Sequence, residues 1–215
     1  MWKRLRETLG AYQQRDPAAR SKLEIFLLYP GVHALIGHRI AHFFYRRRLL
    51  FLARLTSQLT RHCTGIEIHP GAQIGHRLVI DHGMGIVIGE TTEIGDDVLL
   101  YQGVTLGGSG KDTGKRHPTL GNNVLVGAGA KVLGAFRIGD NARIAANAVV
   151  LGPVPDNATA VGIPARIVRI DGKRVGDLDH THIPDPIAQE LAKLNARVAR
   201  LEQEAARPAC MEESE

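Results

Sequence analysis

The dipeptide Asp81-His82 interrupts the segment LVIDHGMGIVIGETTEIG, residues 78–95, which is otherwise rich in aliphatic residues and glycine. An imidazole titrates near neutral pH, so it can remove a proton from a weak nucleophile such as a hydroxyl. A carboxylate beside it can bind a positive charge or stabilise the protonated ring. The pair therefore predicts acid–base chemistry, provided that the fold buries Ile80 and exposes His82 only two residues later.

The elements that must position this pair follow a period of six residues. Aliphatic residues recur at every sixth position in three blocks, and glycine or alanine follows most of them. An ordinary alternating strand would repeat every two residues, so the pattern predicts a repeat architecture. Each hexapeptide is expected to form one short strand and a corner, and three make a triangular coil with the aliphatic side chains inside. The thirteen inward positions are Ile68, Ile74, Ile80, Ile88, Ile94, Leu100, Leu106, Leu120, Val126, Val132, Ile138, Ile144 and Val150.

The repeat is interrupted twice. Between Ile80 and Ile88 the step is eight residues instead of six, and the two extra residues lie beside Asp81-His82. Between Leu106 and Leu120 the step is fourteen, and the inserted loop reads GGSGKDTGKRHP, residues 107–118. Both interruptions carry polar residues for which the repeat has no structural use. Because loops on a rigid scaffold commonly carry function, we expect the site at these two places.

The segments on either side of the repeat are predicted to be helical. Residues 1–63 form a short helical domain, in which Asp16-Pro17 has the pattern of an N-cap followed by proline at the first helical position. One helix is expected from Gly31 and another over residues 49–59. The β domain covers residues 64–170, and a tail covers 171–215. In that tail, apolar residues step by four and three over 186–206, which predicts a coiled-coil-like helix and favours self-association.

The composition narrows the class of protein. The 215 residues are 44% hydrophobic, 23% charged and 5% aromatic, with a net charge of +5. No basic groove interleaved with aromatic residues is present, so no nucleic-acid partner is expected, whereas a small anionic ligand suits the charge. No segment is long and apolar enough for a membrane span or a signal peptide. The two cysteines have neither metal nor disulfide spacing, and we expect a cytoplasmic protein.

Five motifs together closely resemble the serine O-acetyltransferase family: GIEIHPGAQIG, DHGMGIVIGET, GVTLGGSGKDTGKRHP, VGAGAKVLG and VGIPARIVR. The resemblance extends from Arg15-Asp16-Pro17 to about Arg169. It implies a left-handed parallel β-helix of hexapeptide repeats, preceded by a short helical domain and followed by a C-terminal helix. It also implies transfer of an acetyl group from acetyl-CoA, as co-substrate, to the hydroxyl of L-serine, without a metal.

The resemblance further implies roles for individual residues. The family's general base matches His82, and the carboxylate that fixes its tautomer matches Glu67, where many members have the shorter aspartate. Serine is a zwitterion, so both of its charges need a partner. The acids that bind its amine match Asp16 and Asp81, although Asp16 also has the helix-cap interpretation. The contact to its carboxylate matches Arg116, with His117 beside it.

The resemblance also implies how acetyl-CoA and other partners would bind. Residues with little side-chain bulk would let the pantetheine arm pass, and Gly108 N–H would stabilise the oxyanion. A homotrimer is expected, because the helical domain is short, with active sites in the clefts between prisms. L-cysteine would fill the serine site as a feedback inhibitor, whereas docking of O-acetylserine sulfhydrylase is not expected, because the terminal isoleucine of the family is absent. The CoA contacts would be Gly108, Ser109, Ala128, Ala146 and Arg166, with Lys131 and Arg143 as further candidates for the phosphates.

Three alternatives remain. A hexapeptide O-acetyltransferase acting on a sugar is disfavoured, because a neutral sugar needs no pair of opposite charges like Asp81 and Arg116. A γ-type carbonic anhydrase, also a trimeric prism, would bind zinc through three histidines, but position 122, where one of them would stand, is asparagine. A scaffold without catalytic activity is disfavoured by the intact set of polar residues.

Overall fold

The computed structural model describes residues 2–110, 113–175 and 194–202. The chain divides into two compact units, Met1–Val175 and Gly176–Glu215. The first unit holds four helices followed by a column of short strands. In the second unit, residues 194–202 are helical, and they form the described part of the helix expected over 186–206. The rest of that expected helix lies outside the described residues.

The four helices are α1 (Trp2–Arg15), α2 (Lys22–Leu28), α3 (Pro30–Arg46) and α4 (Leu50–Thr64). Their ends follow local chemistry. Pro30 stands at the first position of α3, where its missing N–H costs nothing, and Gly65 ends α4 with a left-handed φ of 71°. The helix expected over residues 49–59 therefore continues five residues further, to this glycine.

The N-cap interpretation of Asp16 is wrong. Helix α1 ends at Arg15, and the Asp16 carboxylate accepts the Ala18 N–H at 2.8 Å within the turn that follows. The helix that comes next is capped by Ser21, whose hydroxyl accepts the Glu24 N–H at 3.1 Å. Proline at position 17 fits a turn as well as it fits a helix start, so the sequence pattern did not distinguish the two.

The hexapeptide repeat is confirmed, because each of the thirteen predicted aliphatic residues lies in its own strand. Twelve of them are buried, and Ile74 is partly buried and packs against the same core. The strands are β1 (Glu67–Ile68), β2 (Gln73–Ile74), β3 (Val79–Asp81), β4 (Val87–Ile88), β5 (Glu93–Ile94), β6 (Leu99–Tyr101), β7 (Thr105–Gly107), β8 (Thr119–Leu120), β9 (Leu125–Val126), β10 (Lys131–Leu133), β11 (Arg137–Ile138), β12 (Arg143–Ile144) and β13 (Val149–Val150).

Three parallel sheets form the faces of the prism. The first contains β1, β4, β7, β10 and β13, the second β2, β5, β8 and β11, and the third β3, β6, β9 and β12. Successive strands of the chain therefore go to successive faces, as a triangular coil requires. Pairing keeps the aliphatic residues in register, so that on the third face Ile80 pairs with Leu100, Leu100 with Val126, and Val126 with Ile144.

Small and branched residues fill the remaining space at the corners. Four positions after many inward aliphatic residues comes a second buried residue. At roughly 25 cal/mol for each Å² of apolar surface, this repeated burial is the main force that holds the coils together. These residues are Val98, Val104, Val124, Ala130, Ala142 and Ala148, all 0% exposed.

The repeat ends in an antiparallel ribbon. Strand β14 (Ala158–Val161) continues the third sheet in parallel with β12, and β15 (Arg166–Ile170) and β16 (Lys173–Arg174) then reverse direction. This ribbon covers the parallel edge of the third sheet, to which another chain could otherwise add a strand. Within the described part of the chain, no helix has the length and apolar character needed to cross a membrane.

Candidate active site

The first interruption of the repeat places His82 in a bulge. The carbonyl oxygens of Met84, Gln102 and Ala128 accept hydrogen bonds from the coils above them at 2.8–2.9 Å, so these residues occupy equivalent corner positions. Asp81 still pairs with Tyr101. The two extra residues of this coil are therefore His82 and Gly83. The prism thus keeps Ile80 inside and displays His82 outside.

The backbone at His82 is held in an uncommon conformation. Its φ is 58°, and the Gly83 N–H donates to the Asp81 carbonyl at 2.7 Å, which closes a tight turn around the histidine. A positive φ is unfavourable for most residues other than glycine, but eight further described residues share it, so here it marks the tight turn and not by itself a function. The imidazole is 75% exposed, and its Nε2 lies 3.9 Å from Oδ1 of Asp81. The turn therefore presents an accessible imidazole beside a carboxylate.

The helical domain is attached next to this turn. The Tyr12 hydroxyl accepts the Ile80 N–H at 3.0 Å and donates to the Ile80 carbonyl at 2.9 Å. Gly31 makes this approach possible, because a Cβ there would overlap the tyrosine hydroxyl and the Ile80 carbonyl. Helix α1 is thereby fixed to strand β3 one residue before Asp81. The sequence offered no signal for Tyr12, since its partner is 68 residues away.

A second tyrosine binds one of the two acids that were predicted to bind an amine. Tyr29 donates to Oδ2 of Asp16 at 2.7 Å, and its ring meets that of Tyr12 edge to face, with centroids 5.6 Å apart. The hydrogen bond to Asp16 raises the pKa of Tyr29 to about 12, and the charge of Asp81 contributes to the increase. Asp16 and Asp81 therefore lie near the same pair of tyrosines, although 65 residues separate them in the chain.

Glu67, the predicted partner of His82, has two other partners in this structure. It lies at the start of β1, and its carboxylate is 3.4 Å from Arg54 and 3.3 Å from Arg61, both on α4. Among the described residues, no hydrogen bond or ion pair joins Glu67 to His82. The orienting role of Glu67 stays a prediction.

Arg116 lies in the second interruption and is held by two residues outside it. Its Nη2 donates to Oε2 of Glu90 at 2.6 Å, and Tyr45 donates to the other oxygen at 3.3 Å. The hydrogen bond from the guanidinium lowers the pKa of the Glu90 carboxyl. One nitrogen of the guanidinium is thus fixed, and its other side-chain N–H groups have no hydrogen-bond partner among the described residues, so they can serve a ligand. Glu90 and Tyr45 were not predicted, because nothing in the repeat marks them as partners of the loop.

His117 is 8% exposed and lies beside Thr91, with Nδ1 at 2.9 Å from the threonine hydroxyl. Burial, followed by the charge of Arg116, lowers the pKa of the His117 imidazole, which favours the neutral ring. Gly89 makes room for it, since a Cβ at that position would overlap the ring. The sequence predicted His117 but not Thr91 or the need for Gly89.

The two interruptions lie at different corners of the prism. Asp81 is the last residue of β3 and His82 follows it, at the corner where the third face meets the first. Arg116 and His117 are between β7 and β8, where the first face meets the second. Within one chain, the predicted amine-binding acids and the predicted carboxylate-binding residues therefore stand at separate corners.

The residues predicted for CoA fall into three places. Val126 of β9 pairs with Ile144 of β12, and Ala128 and Ala146 each follow two residues later. They therefore stack on successive coils at the same corner of the prism as His82. Gly108 lies against the loop, and a Cβ there would come 3.0 Å from the Arg116 carbonyl. Arg166 is exposed on β15, in the closing ribbon.

Two other CoA candidates and the metal alternative can be placed as well. Lys131 donates to the Gly103 carbonyl, while Arg143 is exposed on β12. In the part of the chain that the structure describes, no three His, Cys, Asp or Glu side chains are grouped so that they could hold a metal ion.

The stacked hexapeptide coils with two polar bulges are the architecture of a hexapeptide-repeat transferase, and residues 117–152 match the family "Bacterial transferase hexapeptide (six repeats)". A serine acetyltransferase from Staphylococcus xylosus is 56% identical over 199 residues, which cover 92% of both chains. The chain belongs to the serine acetyltransferase family.

Solved structures agree with this assignment. The serine acetyltransferase of Neisseria gonorrhoeae in complex with serine has a TM-score of 0.75 at 41% identity, over 78% of this chain and 68% of that one. The serine acetyltransferase of Brucella abortus strain S19 in complex with coenzyme A also has a TM-score of 0.75, at 42% identity, over 76% of this chain and 66% of that one. Both similarities extend well beyond the repeat itself.

Proposed function

We propose that this protein transfers the acetyl group of acetyl-CoA to the hydroxyl of L-serine, giving O-acetyl-L-serine and CoA. The observation that supports this function best is the division of charge between two sets of residues. Asp16 and Asp81 form an acidic side that suits an ammonium group, and Arg116 with His117 forms a side that suits a carboxylate. Free serine carries both groups, whereas a sugar carries neither.

His82 is the general base in this proposal. Its imidazole removes the proton of the serine hydroxyl as the oxygen attacks the thioester carbon of acetyl-CoA. The C–S bond then breaks, and the imidazolium returns the proton to the departing thiolate. The exposed position of the ring at the apex of its turn lets it reach both substrates. Glu67 would orient the ring, and Gly108 N–H would stabilise the oxyanion.

Acetyl-CoA would run along the corner that carries Ala128 and Ala146. Both side chains are single methyl groups stacked on successive coils, which leaves a smooth path towards the His82 bulge. Ser109 and Arg166 would contact the cofactor further out, with the guanidinium near the phosphates. A metal plays no part in this scheme, since the imidazole supplies the base.

We further propose that the protein is a homotrimer with each site shared between two chains. The two polar bulges stand at different corners of one prism, and packing three prisms around an axis brings unlike corners together. The His82 corner of one chain would then face the Arg116 corner of the next. Serine would bridge the two, with its amine towards one chain and its carboxylate towards the other.

A mixture of two variants, each strongly impaired at serine concentrations well below the wild-type KM, tests this shared site under those conditions. His82→Ala and Arg116→Ala, refolded together at equal amounts, should regain about a quarter of wild-type activity, because one site in four then combines both intact corners. Each variant refolded alone is the matched control and should stay near its own low rate. A mixture that stays at the level of the separate variants would show that each chain builds its site alone.

The choice of substrate tests the reaction itself. Release of free thiol from acetyl-CoA is expected with L-serine and not with galactosides, because only serine satisfies the acidic and the basic side together. L-serine amide, which lacks the carboxylate, should react at a much lower kcat/KM. Equal rates with galactosides and serine would favour the sugar acetyltransferase instead.

L-cysteine is proposed as an inhibitor of the same site. It has the same amine and carboxylate as serine, and its thiol would occupy the place of the hydroxyl. We also place the protein in the cytoplasm, which the free and exposed thiol of Cys63 supports, since such a thiol persists in a reducing compartment.

A further inference from the structure

The His117 ring has one nitrogen without a hydrogen-bond partner in the part of the chain that the structure describes. Nδ1 contacts Thr91, whereas Nε2 has no hydrogen-bond partner among the described residues. A Cβ at position 89 would overlap Nε2, so only glycine there leaves space beside this nitrogen. A nearly buried imidazole with one accessible nitrogen is arranged to contact a bound molecule. Whether this nitrogen donates or accepts depends on where the ring carries its proton.

The hydrogen bonds of Thr91 decide that question. Its hydroxyl oxygen accepts the backbone N–H groups of Arg116 at 3.0 Å and His117 at 3.1 Å. Both lone pairs are then used, so the hydroxyl proton is left to donate to Nδ1, 2.9 Å away. The Thr91 backbone N–H also points to Nδ1, at 3.2 Å. Because Nδ1 accepts two donors, it carries no proton, and the proton of the neutral ring is on Nε2.

The stacking of coils explains why these two residues meet. Thr91 lies two residues before Glu93, and His117 lies two residues before Thr119, which pairs with Glu93 between β5 and β8. The end of the inserted loop therefore returns to the prism directly above the turn that holds Thr91. Lys115 strengthens this junction by donating to the Thr91 carbonyl at 2.7 Å and to the Glu93 carboxylate at 2.9 Å.

We propose that Thr91 is a positioning residue that holds His117 as a neutral Nε2–H donor aimed at a carboxylate oxygen of the bound amino acid. This inference rests on the proposed function for the identity of the acceptor, but the state of the ring does not depend on it. The threonine hydroxyl also ties the backbone of Arg116 to the same turn. One side chain thus sets both groups on the carboxylate side of the site.

The charged groups around the ring do not all act in the same direction. Arg116 and Lys115 on the loop, and His69 on the turn after β1, disfavour a protonated imidazole, whereas Glu90 on the turn after β4 favours it. A proton on Nδ1 would also point towards the backbone N–H and the hydroxyl of Thr91, which are both donors, and this is unfavourable. The geometry and the net effect of these charges agree on a neutral ring.

The test compares Thr91→Val, which keeps the shape and the backbone N–H but removes the hydroxyl, with Thr91→Ser, which restores it. In Thr91→Val we expect the KM for L-serine to rise about tenfold, as for loss of one well-aligned hydrogen bond, with the KM for acetyl-CoA unchanged. The increase in the KM for L-serine caused by Thr91→Val should become smaller as the pH falls, because an imidazolium carries the Nε2 proton regardless of Thr91. Thr91→Ser should stay close to wild type throughout.

The nitrogen NMR signals of His117, assigned with His117→Gln, give a readout that needs no activity. In the wild type we expect a proton on Nε2 and a pKa below that of a free histidine, and in Thr91→Val a mixture of tautomers and a higher pKa. A wild-type ring protonated on Nδ1, or a serine variant as impaired as the valine variant, would overturn the positioning role. If the wild type shows the expected tautomer but does not acetylate serine, the proposed function fails and the role of Thr91 stands.

Discussion

Replacing His82 with alanine is expected to lower kcat for serine acetylation by at least about 100-fold, the lower end of the effect of losing a general base. The serine hydroxyl would then have to lose its proton to water while it attacks the thioester. The KM values should change little, because the amine and carboxylate contacts are made by other residues. Steady-state release of CoA thiol, measured over a range of serine concentrations, separates the two parameters.

The fold should survive this change, which makes the kinetic result interpretable. The His82 side chain is 75% exposed, so its removal opens no cavity. His82→Asn serves as a second variant, since asparagine tolerates the positive φ of the turn but cannot act as a base. His62→Ala, at an exposed histidine on α4, is the matched control and should behave like wild type. Near-full activity of both His82 variants would assign the base to another residue.

Replacing Arg116 with alanine is expected to lower kcat/KM for L-serine by about 100-fold, mostly through KM, as for removal of one partner of a charge-assisted pair. Two effects act together. The substrate carboxylate loses its cationic partner. Glu90, which pairs with Arg116 at 2.6 Å in the wild type, is left as an uncompensated negative charge. The inhibition constant of L-cysteine should rise in parallel, whereas the KM for acetyl-CoA should not.

A double variant separates these two effects. In Arg116→Ala combined with Glu90→Gln, the repulsion is gone and only the lost contact remains, so part of the loss in kcat/KM should be recovered. Arg137→Ala is a suitable control, because Arg137 also forms an ion pair on the prism, 3.2 Å from Asp140, and among the described residues it makes no hydrogen bond or ion pair with either bulge. An unchanged KM for serine in Arg116→Ala would remove this residue from the carboxylate side of the site.

Much of the scaffold was predictable from the sequence. The period of six determined the inward residues, because only a side chain at that spacing points into a three-sided coil. The two interruptions then located the bulges, since residues that do not fit the coil must leave it. The same reasoning was less successful in the helical domain, where Ile40 and Phe43 fit a helical period with Val32 but are about half exposed. Which face of a helix is covered depends on what packs against it.

The sequence by itself determined the coil, its core and the identity of the residues displayed at His82 and Arg116. Only the tertiary structure decided which distant groups contact one another: Tyr12 with Ile80, Tyr29 with Asp16, Thr91 with His117, and two arginines of α4 with Glu67. The physical reason is that the coil is a local, repeating property of the chain, which neighbouring residues encode. A hydrogen bond between groups 26 or 68 residues apart depends on how coils stack and helices dock, and no short segment contains that information.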